Sequence, residues 1–270
     1  MNTSTITSAD GTRLHLVRWD PPSDSKGQVL LIGGLAEHMG RYGHVAEALL
    51  AGGYTVTGIE LRGHGHSGGK RGHVDRWEQY AEDVRAAIAE VGADLHIVCH
   101  SMGGLVSLHT VLGGAPQVKS LTISNPLLGV RVQAPKIKEA AGRLLSKIWP
   151  SVSLGNELDT ADLSRDPEVA KKYEADPLVF STITPRWFTE MEQAKAEVHA
   201  AASQFTLPML MMISEGDPIT NPVDARRFVE AYGGDGRVRE WGEENKHELF
   251  NELDKEAILA EVIAFLDEQA

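Results

Sequence analysis

Apolar residues along this chain fall into two alternating spacings, one typical of buried strands and the other of amphipathic helices. Short apolar runs bounded by turn residues predict strands at 3–8, 13–19, 28–32, 55–59, 95–98, 120–124, 209–213 and 237–241. Helix-spaced apolar residues predict helices at 41–51, 77–91, 102–108, 222–232 and 254–268. Because strands and helices alternate, we predict an α/β fold with a mainly parallel sheet that is covered by helices on both faces.

Two places depart from this alternation. The first two strands flank Asp10-Gly11, a pair that favours a tight turn, so they are predicted to form a hairpin. Residues 126–207 contain only helical segments separated by Pro and Gly. We therefore expect a core domain made of 1–125 and 208–270. The helical insertion, 126–207, would lie over the carboxyl edge of the sheet, where open α/β sheets bind ligands.

The charge balance and the cysteine content exclude some classes of protein. The 270 residues carry 38 Asp and Glu against 26 Lys and Arg, a net charge of -12, which argues against a nucleic-acid-binding surface. Cys99 is the single cysteine, so no internal disulfide is possible and a reducing compartment is expected. The N-terminal residues lack the basic start and apolar run of a signal peptide, and no apolar run approaches the length of a membrane span. We expect a cytoplasmic protein.

The predicted strand at 95–98 is followed by a serine and then by small, helix-tolerant residues. The order strand, sharp turn, helix is that of a nucleophile elbow, G-x-S-x-G, in which the turn lifts a serine hydroxyl out of the sheet. Ser101 takes the serine position and Gly103 the second glycine, but Cys99 stands in place of the first glycine. Ser101 is therefore a candidate nucleophile. The alternative is a serine that only caps the following helix.

A catalytic serine needs a base and an acid that orients the base, and in this arrangement they follow later strands in the order acid, then histidine. Asp217 follows the strand at 209–213, and His247 follows the strand at 237–241. Glu215 is an alternative acid, but Asp217 lies deeper in the loop and is preceded by a glycine. We predict a triad of Ser101, His247 and Asp217.

An oxyanion intermediate also needs two backbone N–H donors. One is expected from Met102, directly after the candidate nucleophile, and the other from the loop after the strand at 28–32. There Gly33-Gly34 lets the backbone approach the site, so we assign the second donor to Leu35. The alternative is that the two glycines only form a strand-to-helix turn.

The histidines at 64 and 66 have residue types that bind metals, but no cysteine or carboxylate cluster accompanies them in the sequence. The glycines around them do not match a phosphate-binding G-x-x-x-x-G-K-[ST] loop. We therefore expect neither a metal nor another cofactor.

Four segments together resemble the monoacylglycerol lipase and lysophospholipase branch of the α/β-hydrolases. They are Gly-Gly-Leu-Ala-Glu-His at 33–38 with Arg41-Tyr42, the glycine-rich loop at 62–74, Cys-His-Ser-Met-Gly-Gly at 99–104, and the loops that carry the candidate acid and base. The resemblance implies an eight-stranded α/β-hydrolase sheet with a helical cap, and hydrolysis of carboxylic esters through an acyl-enzyme without a cofactor. Two residues depart from the family pattern: Gly33 replaces a histidine, and Cys99 replaces the first elbow glycine.

In that family the insertion is a lid that forms the acyl-chain tunnel and can touch lipid surfaces. Between residues 131 and 147 five basic residues accompany one acid, and apolar residues share one helical face that ends in Trp149. This face either packs down over the active site or touches a lipid surface, as basic amphipathic helices do, which would make the protein peripheral at membranes. We expect the first arrangement at rest. Substrate contacts are expected from five residues: Gly34, His100, Ile137, Leu144 and Leu145.

The resemblance points to a serine ester hydrolase that prefers monoacylglycerols or similar single-chain lipid esters. One alternative is a general carboxylesterase for short, soluble esters. A peptidase of the same fold is another, and it would need an acidic anchor for a free amine, with Glu157 and Glu190 as candidates. A non-catalytic binding protein on this scaffold is the third, although no member of the predicted triad is missing.

Overall fold

The computed structural model describes residues 1–20, 24–115, 117–131 and 136–270, without the side chains of 136–139. Eight strands of this part of the chain form the main sheet: β1 (Asn2–Thr7), β2 (Arg13–Arg18), β3 (Gln28–Ile32), β4 (Thr55–Glu60), β5 (Leu95–His100), β6 (Val118–Ser124), β9 (Met209–Ser214) and β10 (Gly236–Trp241). Two short strands lie between them in the chain, β7 (Leu154–Gly155) and β8 (Thr182–Ile183).

The main sheet has the order β1-β2-β4-β3-β5-β6-β9-β10. Strands β1 and β2 pair antiparallel, β2 pairs antiparallel with β4, and every later pair is parallel. The predicted hairpin forms, and Gly11 in its turn has a φ of +87°, a conformation that glycine adopts without strain. The predicted α/β class with a mainly parallel, eight-stranded sheet is confirmed.

Eight helices accompany the strands in the described residues: α1 (Gly43–Ala51), α2 (Glu78–Val91), α3 (Met102–Leu112), α4 (Lys136–Ile148), α5 (Pro167–Ala175), α6 (Pro185–Ala200), α7 (Pro222–Glu230) and α8 (Lys255–Gln269). Short 3₁₀ turns occupy Met39–Tyr42, Thr160–Asp162, Ala202–Gln204 and Leu249–Asn251. Apolar side chains of α2, α3 and α6 pack on one face of the sheet, and those of α1 and α8 pack on the other. Each face of the sheet therefore has its own buried core.

Residues 126–207 carry α4, α5 and α6, and helix α6 packs on both α3 and α4. The expectation that this segment contains no strand is wrong for four residues, because β7 and β8 pair antiparallel. Two-residue strands are too short to show an alternating pattern in a sequence. None of the described helices is long and apolar enough to cross a membrane.

Candidate active site

Ser101 lies in the sharp turn between β5 and α3. Its φ of 51° and ψ of -115° are unusual for a residue with a side chain, and such strain is typical of functional sites. The turn is held by the Ser101 N–H, which donates to the Ser124 carbonyl at 2.9 Å. A Cβ added to Gly103 would lie 2.6 Å from the carbonyl oxygens of both Ile32 and Gly33. The second glycine of the elbow is therefore required by the close approach of the helix to β3.

The structure brings the three predicted triad residues together in the described part of the chain. His247 Nε2 lies 2.9 Å from Ser101 Oγ, and His247 Nδ1 lies 2.8 Å from Asp217 Oδ2. Asp217 is also held by the Ile219 N–H at 2.7 Å and the Thr220 N–H at 3.1 Å, and the Thr220 hydroxyl donates to Oδ2. All three triad residues are buried. The imidazole can therefore accept the Ser101 proton while Asp217 fixes its orientation.

The charges of this arrangement favour an ionised acid beside a basic imidazole. Burial opposes ionisation of Asp217, but the neighbouring His247 and the donors at Ile219 and Thr220 lower its pKa below the ordinary value. Burial likewise disfavours the imidazolium of His247, but the Asp217 carboxylate raises the pKa of His247 above its ordinary value. Both shifts favour proton uptake by His247.

The alternative acid, Glu215, has a different partner. Its carboxylate pairs with Arg226 of α7, and both side chains are about one-third exposed. The sequence-based preference for Asp217 thus agrees with the contacts of the two side chains.

Two loops lie at the positions predicted for the oxyanion donors. Helix α3 begins at Met102, and the N–H groups of a first helical turn have no acceptor within the helix. On the other loop, a Cβ added to Gly34 would lie 3.2 Å from the Ser101 Cβ, so the absence of a side chain at Gly34 lets this loop approach Ser101 closely. The Gly34 N–H donates to Glu37 at 2.5 Å, and Ala36 has a φ of 65°. The N–H of Leu35 is the next donor along this loop.

A cavity of about 240 Å³ opens onto Ser101 and His247. Two predicted substrate contacts, Gly34 and His100, line it, as does Leu35, the predicted oxyanion donor, and the remaining lining is mostly apolar. Loops and cap helices contribute lining residues that the sequence did not predict, since they follow no common periodicity: Leu127, Val130, Asn156, Leu158, Leu163, Tyr173, Ile183, Trp187, Phe188, Met191 and Ile219. Asn125 was also missed. Its amide donates to the His247 carbonyl at 2.7 Å and thereby supports the base.

Two of the three predicted cap contacts are not at this cavity. Leu144 and Leu145 are absent from its lining, and the side chain of Ile137 lies outside the described residues. Helix α4 turns small residues toward α6, since Gly142 faces the Phe188 ring and Ser146 lies 2.9 Å from the Thr189 hydroxyl. The expectation that the apolar face covers the active site is corrected accordingly, because the α6 contact leaves Leu144, Ile148 and Trp149 exposed by 58%, 57% and 66%.

Cys99 is fully buried at the end of β5, where its thiol lies 3.4 Å from the Thr122 carbonyl. Burial raises the pKa of this thiol to about 12, so it stays protonated at neutral pH. The side chain that replaces the elbow glycine is therefore an inert packing group.

The two histidines of the glycine-rich loop do not form part of a metal cluster in the described residues, where no group of three or more candidate ligands comes together. His64 is buried, with Nδ1 2.9 Å from the Arg62 carbonyl, and burial lowers its pKa to about 4.

Comparisons with known proteins agree with this geometry. The profile of the family described as serine aminopeptidase S33 matches residues 23–254. A monoacylglycerol lipase of Mycolicibacterium smegmatis is 30% identical over 95% of this chain and 93% of its own length. An abhydrolase domain-containing protein of Dictyostelium discoideum is 30% identical over 98% of this chain, which spans only 29% of that protein. The crystal structure of a monoacylglycerol lipase of Paleococcus ferrophilus superposes with a TM-score of 0.89 at 30% identity, over 95% of this chain and 99% of that one.

Proposed function

Because the chain belongs to the serine aminopeptidase S33 family of α/β-hydrolases, we propose that it hydrolyses monoacylglycerols or similar single-chain lipid esters through an acyl-enzyme on Ser101. The class of reaction, hydrolysis of carboxylic esters, follows from relatives that match nearly the whole chain. The observation that carries the finer proposal is the hydrogen-bonded series Ser101, His247 and Asp217 beneath a largely apolar cavity.

In the proposed reaction Ser101 Oγ attacks the ester carbonyl while His247 Nε2 takes the hydroxyl proton. Asp217 holds the imidazole by Nδ1 and stabilises its charged form. The N–H groups of Met102 and Leu35 donate to the oxyanion. His247 then gives its proton to the departing alcohol and activates water, which releases the fatty acid.

The lining of the cavity supports an acyl chain as the bound group. Apolar side chains from the cap, including Trp187, Phe188 and Met191, face the same cavity as Ser101. Such a surface gains free energy from burying an alkyl chain, at about 25 cal/mol per Å². A carboxylesterase for short esters would need only part of this surface, so we keep it as the second candidate.

A peptidase role has less support from the described side chains. Glu190 accepts the Trp77 N–H at 3.0 Å and is absent from the lining of the cavity, and so is Glu157. The two carboxylates that do line the cavity, Glu37 and Glu248, both pair with Arg41 and are therefore not available as anchors for an amine.

We also propose that helix α4 touches the lipid surface from which the substrate comes. Its apolar residues Leu144 and Ile148 are exposed, as is Trp149 directly after the helix, and Arg143 and Lys147 are exposed beside them. A basic helix with an exposed apolar face can lie on an anionic membrane surface. The division of the chain into a core and a cap at 126–207 is part of this proposal.

The substrate class is tested by hydrolysis rates of glycerol esters with acetyl, butyryl, octanoyl and oleoyl chains, beside an aminoacyl amide. The Ser101→Ala variant supplies the background rate. We expect kcat/KM to rise from acetyl to the longer chains and the amide to stay at background. A rate maximum confined to acetyl or butyryl esters would favour the short-ester carboxylesterase, and turnover of the amide would favour the peptidase.

A further inference from the structure

One buried arginine links two loops. They are the oxyanion loop, residues 33–38 after β3, which carries the proposed donor, and the base loop, residues 242–248 after β10, which carries the proposed base. Arg41 binds Glu248 through two parallel hydrogen bonds, Nη1 to Oε1 and Nη2 to Oε2, each 2.8 Å long. Its Nη1 also donates to Glu37. The three side chains are almost completely buried. Two carboxylates therefore share one guanidinium away from water.

The two carboxylates belong to different loops, Glu248 to the base loop and Glu37 to the oxyanion loop. Glu248 directly follows His247 in the chain, and its Oε2 also accepts from Asn251 at 2.8 Å. Glu37 lies in the oxyanion loop, where it accepts the Gly34 N–H at 2.5 Å and the Tyr42 hydroxyl at 2.8 Å. Arg41 thus connects the residue after the base to the backbone just before Leu35.

The cap contacts the same cluster. The Tyr173 ring of α5 lies 4.8 Å from the Arg41 guanidinium carbon, within the range of a cation–π interaction. The Glu248 N–H donates to the Leu163 carbonyl at 2.7 Å, and the His247 N–H donates to the Asp162 carbonyl at 3.3 Å. These contacts hold the backbone of the base loop against the cap, while Arg41 holds the same loop against the oxyanion loop.

The cluster also affects the electrostatic environment of His247. Both oxygens of Glu248 are acceptors in its contacts with Arg41 and Asn251, which is the pattern of an ionised carboxylate. Burial and the neighbouring Glu37 raise the pKa of Glu248 above its ordinary value, while Arg41 and Asn251 stabilise its charged form. Despite its burial, the pKa of Glu37 is lowered by Arg41 and the Gly34 N–H. With both carboxylates ionised, two negative charges face one positive charge.

Several ionisable groups surround the His247 ring. The carboxylates of Asp217, Glu248 and Glu37 favour its protonated form. The ring of His100 lies against it, with ring centroids 4.6 Å apart, and burial lowers the pKa of His100 to about 4, so this neighbour is neutral near pH 7. Asp162 and Lys246 lie on the neighbouring segments.

We propose that Arg41 and Glu248 are positioning residues that hold the base loop against the oxyanion loop, and that the excess negative charge of the Glu37–Arg41–Glu248 cluster stabilises protonated His247. This proposal rests on the proposed function, because it assigns roles around the proposed triad. The hydrogen bonds of this cluster hold the loops that carry His247 and Leu35, and none of those named above involves Ser101.

The test is the pH dependence of Ser101 labelling by a fluorophosphonate in the Glu248→Gln variant, which needs no knowledge of the natural substrate. Removing one negative charge lowers the pKa of His247. The acid limb of the labelling rate therefore moves to lower pH, by roughly half a unit to one unit. Glu244→Gln is the matched control, since it removes the same charge from a side chain of the same loop that is 73% exposed. Its acid limb should stay at the wild-type pH.

The Arg41→Lys variant tests the positioning role separately from the electrostatic role of the cluster. Lysine keeps the positive charge but lacks the fork that binds both oxygens of Glu248, so we expect the plateau rate to fall about tenfold with the acid limb unmoved. A folded Glu248→Gln variant with an unshifted acid limb would overturn the electrostatic role, and a wild-type plateau rate in Arg41→Lys would overturn the positioning role. A wild-type protein that is not labelled at all would instead contradict the proposed function.

Discussion

At the scale of single residues, the proposed acid is distinguished from its neighbour by its contacts. Asp217 and Glu215 share one loop after β9, yet only Asp217 accepts hydrogen bonds from His247 and from the loop backbone. Glu215 pairs with Arg226 near the surface, where an ion pair contributes little to stability.

We therefore expect Asp217→Asn to reduce kcat by about 10⁴-fold, because an amide favours the wrong tautomer of His247. Glu215→Gln, the matched change two residues earlier, should leave kcat within about twofold. Steady-state rates with one ester measure both variants. A larger loss in Glu215→Gln than in Asp217→Asn would assign the acid to Glu215.

Cys99 is a second residue of interest at this scale, because it places a side chain where the elbow pattern has glycine. Its thiol is buried and protonated, so we expect Cys99→Gly to keep most of the ester hydrolysis activity. The cavity left by the removed side chain should lower the free energy of unfolding by about 1–2 kcal/mol. Kinetics and urea unfolding measure the two effects. Complete loss of activity in a folded variant would show that the thiol has a role beyond packing.

The sequence was sufficient to select Ser101, Asp217 and His247, because strand-end positions and chain order constrain all three. It was insufficient to predict which residues line the cavity. Residues such as Leu163 and Trp187 reach it from the cap, and only the tertiary packing of α5 and α6 determines which of their faces points inward. The contact of Asn125 with His247 was not predictable for a related reason. The sequence around Asn125 carries no signal for a contact with a loop more than a hundred residues away.

At the scale of elements, helix α4 differs from the other amphipathic helices. Helix α2 buries its apolar face on the sheet, whereas α4 contacts α6 through Gly142 and Ser146 and leaves larger apolar residues in solvent. The periodicity of α4 predicted a helix correctly. It could not predict which side would be covered, because small and large residues both offer a packing surface.

We expect Leu144→Gln combined with Ile148→Gln to reduce the hydrolysis of micellar monoacylglycerol several-fold, since apolar area that inserts into lipid is lost. The rate with a dissolved short ester should not change, because neither residue lines the cavity. Leu253→Gln is the control, a leucine that is 57% exposed outside the cap. Equal rates of the double variant and the wild type on micelles would contradict a lipid-binding role for α4.

At the scale of the whole molecule, the fold buries histidines on both sides of the sheet. Burial lowers the pKa of His64, His96 and His100 to about 4, from an ordinary value of 6.5. The unfolded chain therefore binds more protons than the folded chain between these two pH values, and stability falls as pH falls. His247 contributes in the opposite direction, since its pKa is raised in the folded state.

We expect the free energy of unfolding to decrease from pH 6.5 to pH 4, with each buried histidine contributing on the order of 3 kcal/mol at most. His96→Gln removes one titrating group outside the proposed site and should make the decrease shallower. Urea unfolding at a series of pH values measures both slopes. A stability that stays constant over this range, or rises toward pH 4, would contradict the burial of neutral histidines.

The proposed reaction requires that Ser101 carry the acyl group during turnover. It is tested most directly by acid-quenching the enzyme during hydrolysis of p-nitrophenyl octanoate and measuring the masses of its peptides. We predict an octanoyl adduct on the peptide that contains Ser101, and neither adduct nor turnover in Ser101→Ala. Continued turnover by Ser101→Ala, or an acyl group on a different residue, would contradict it.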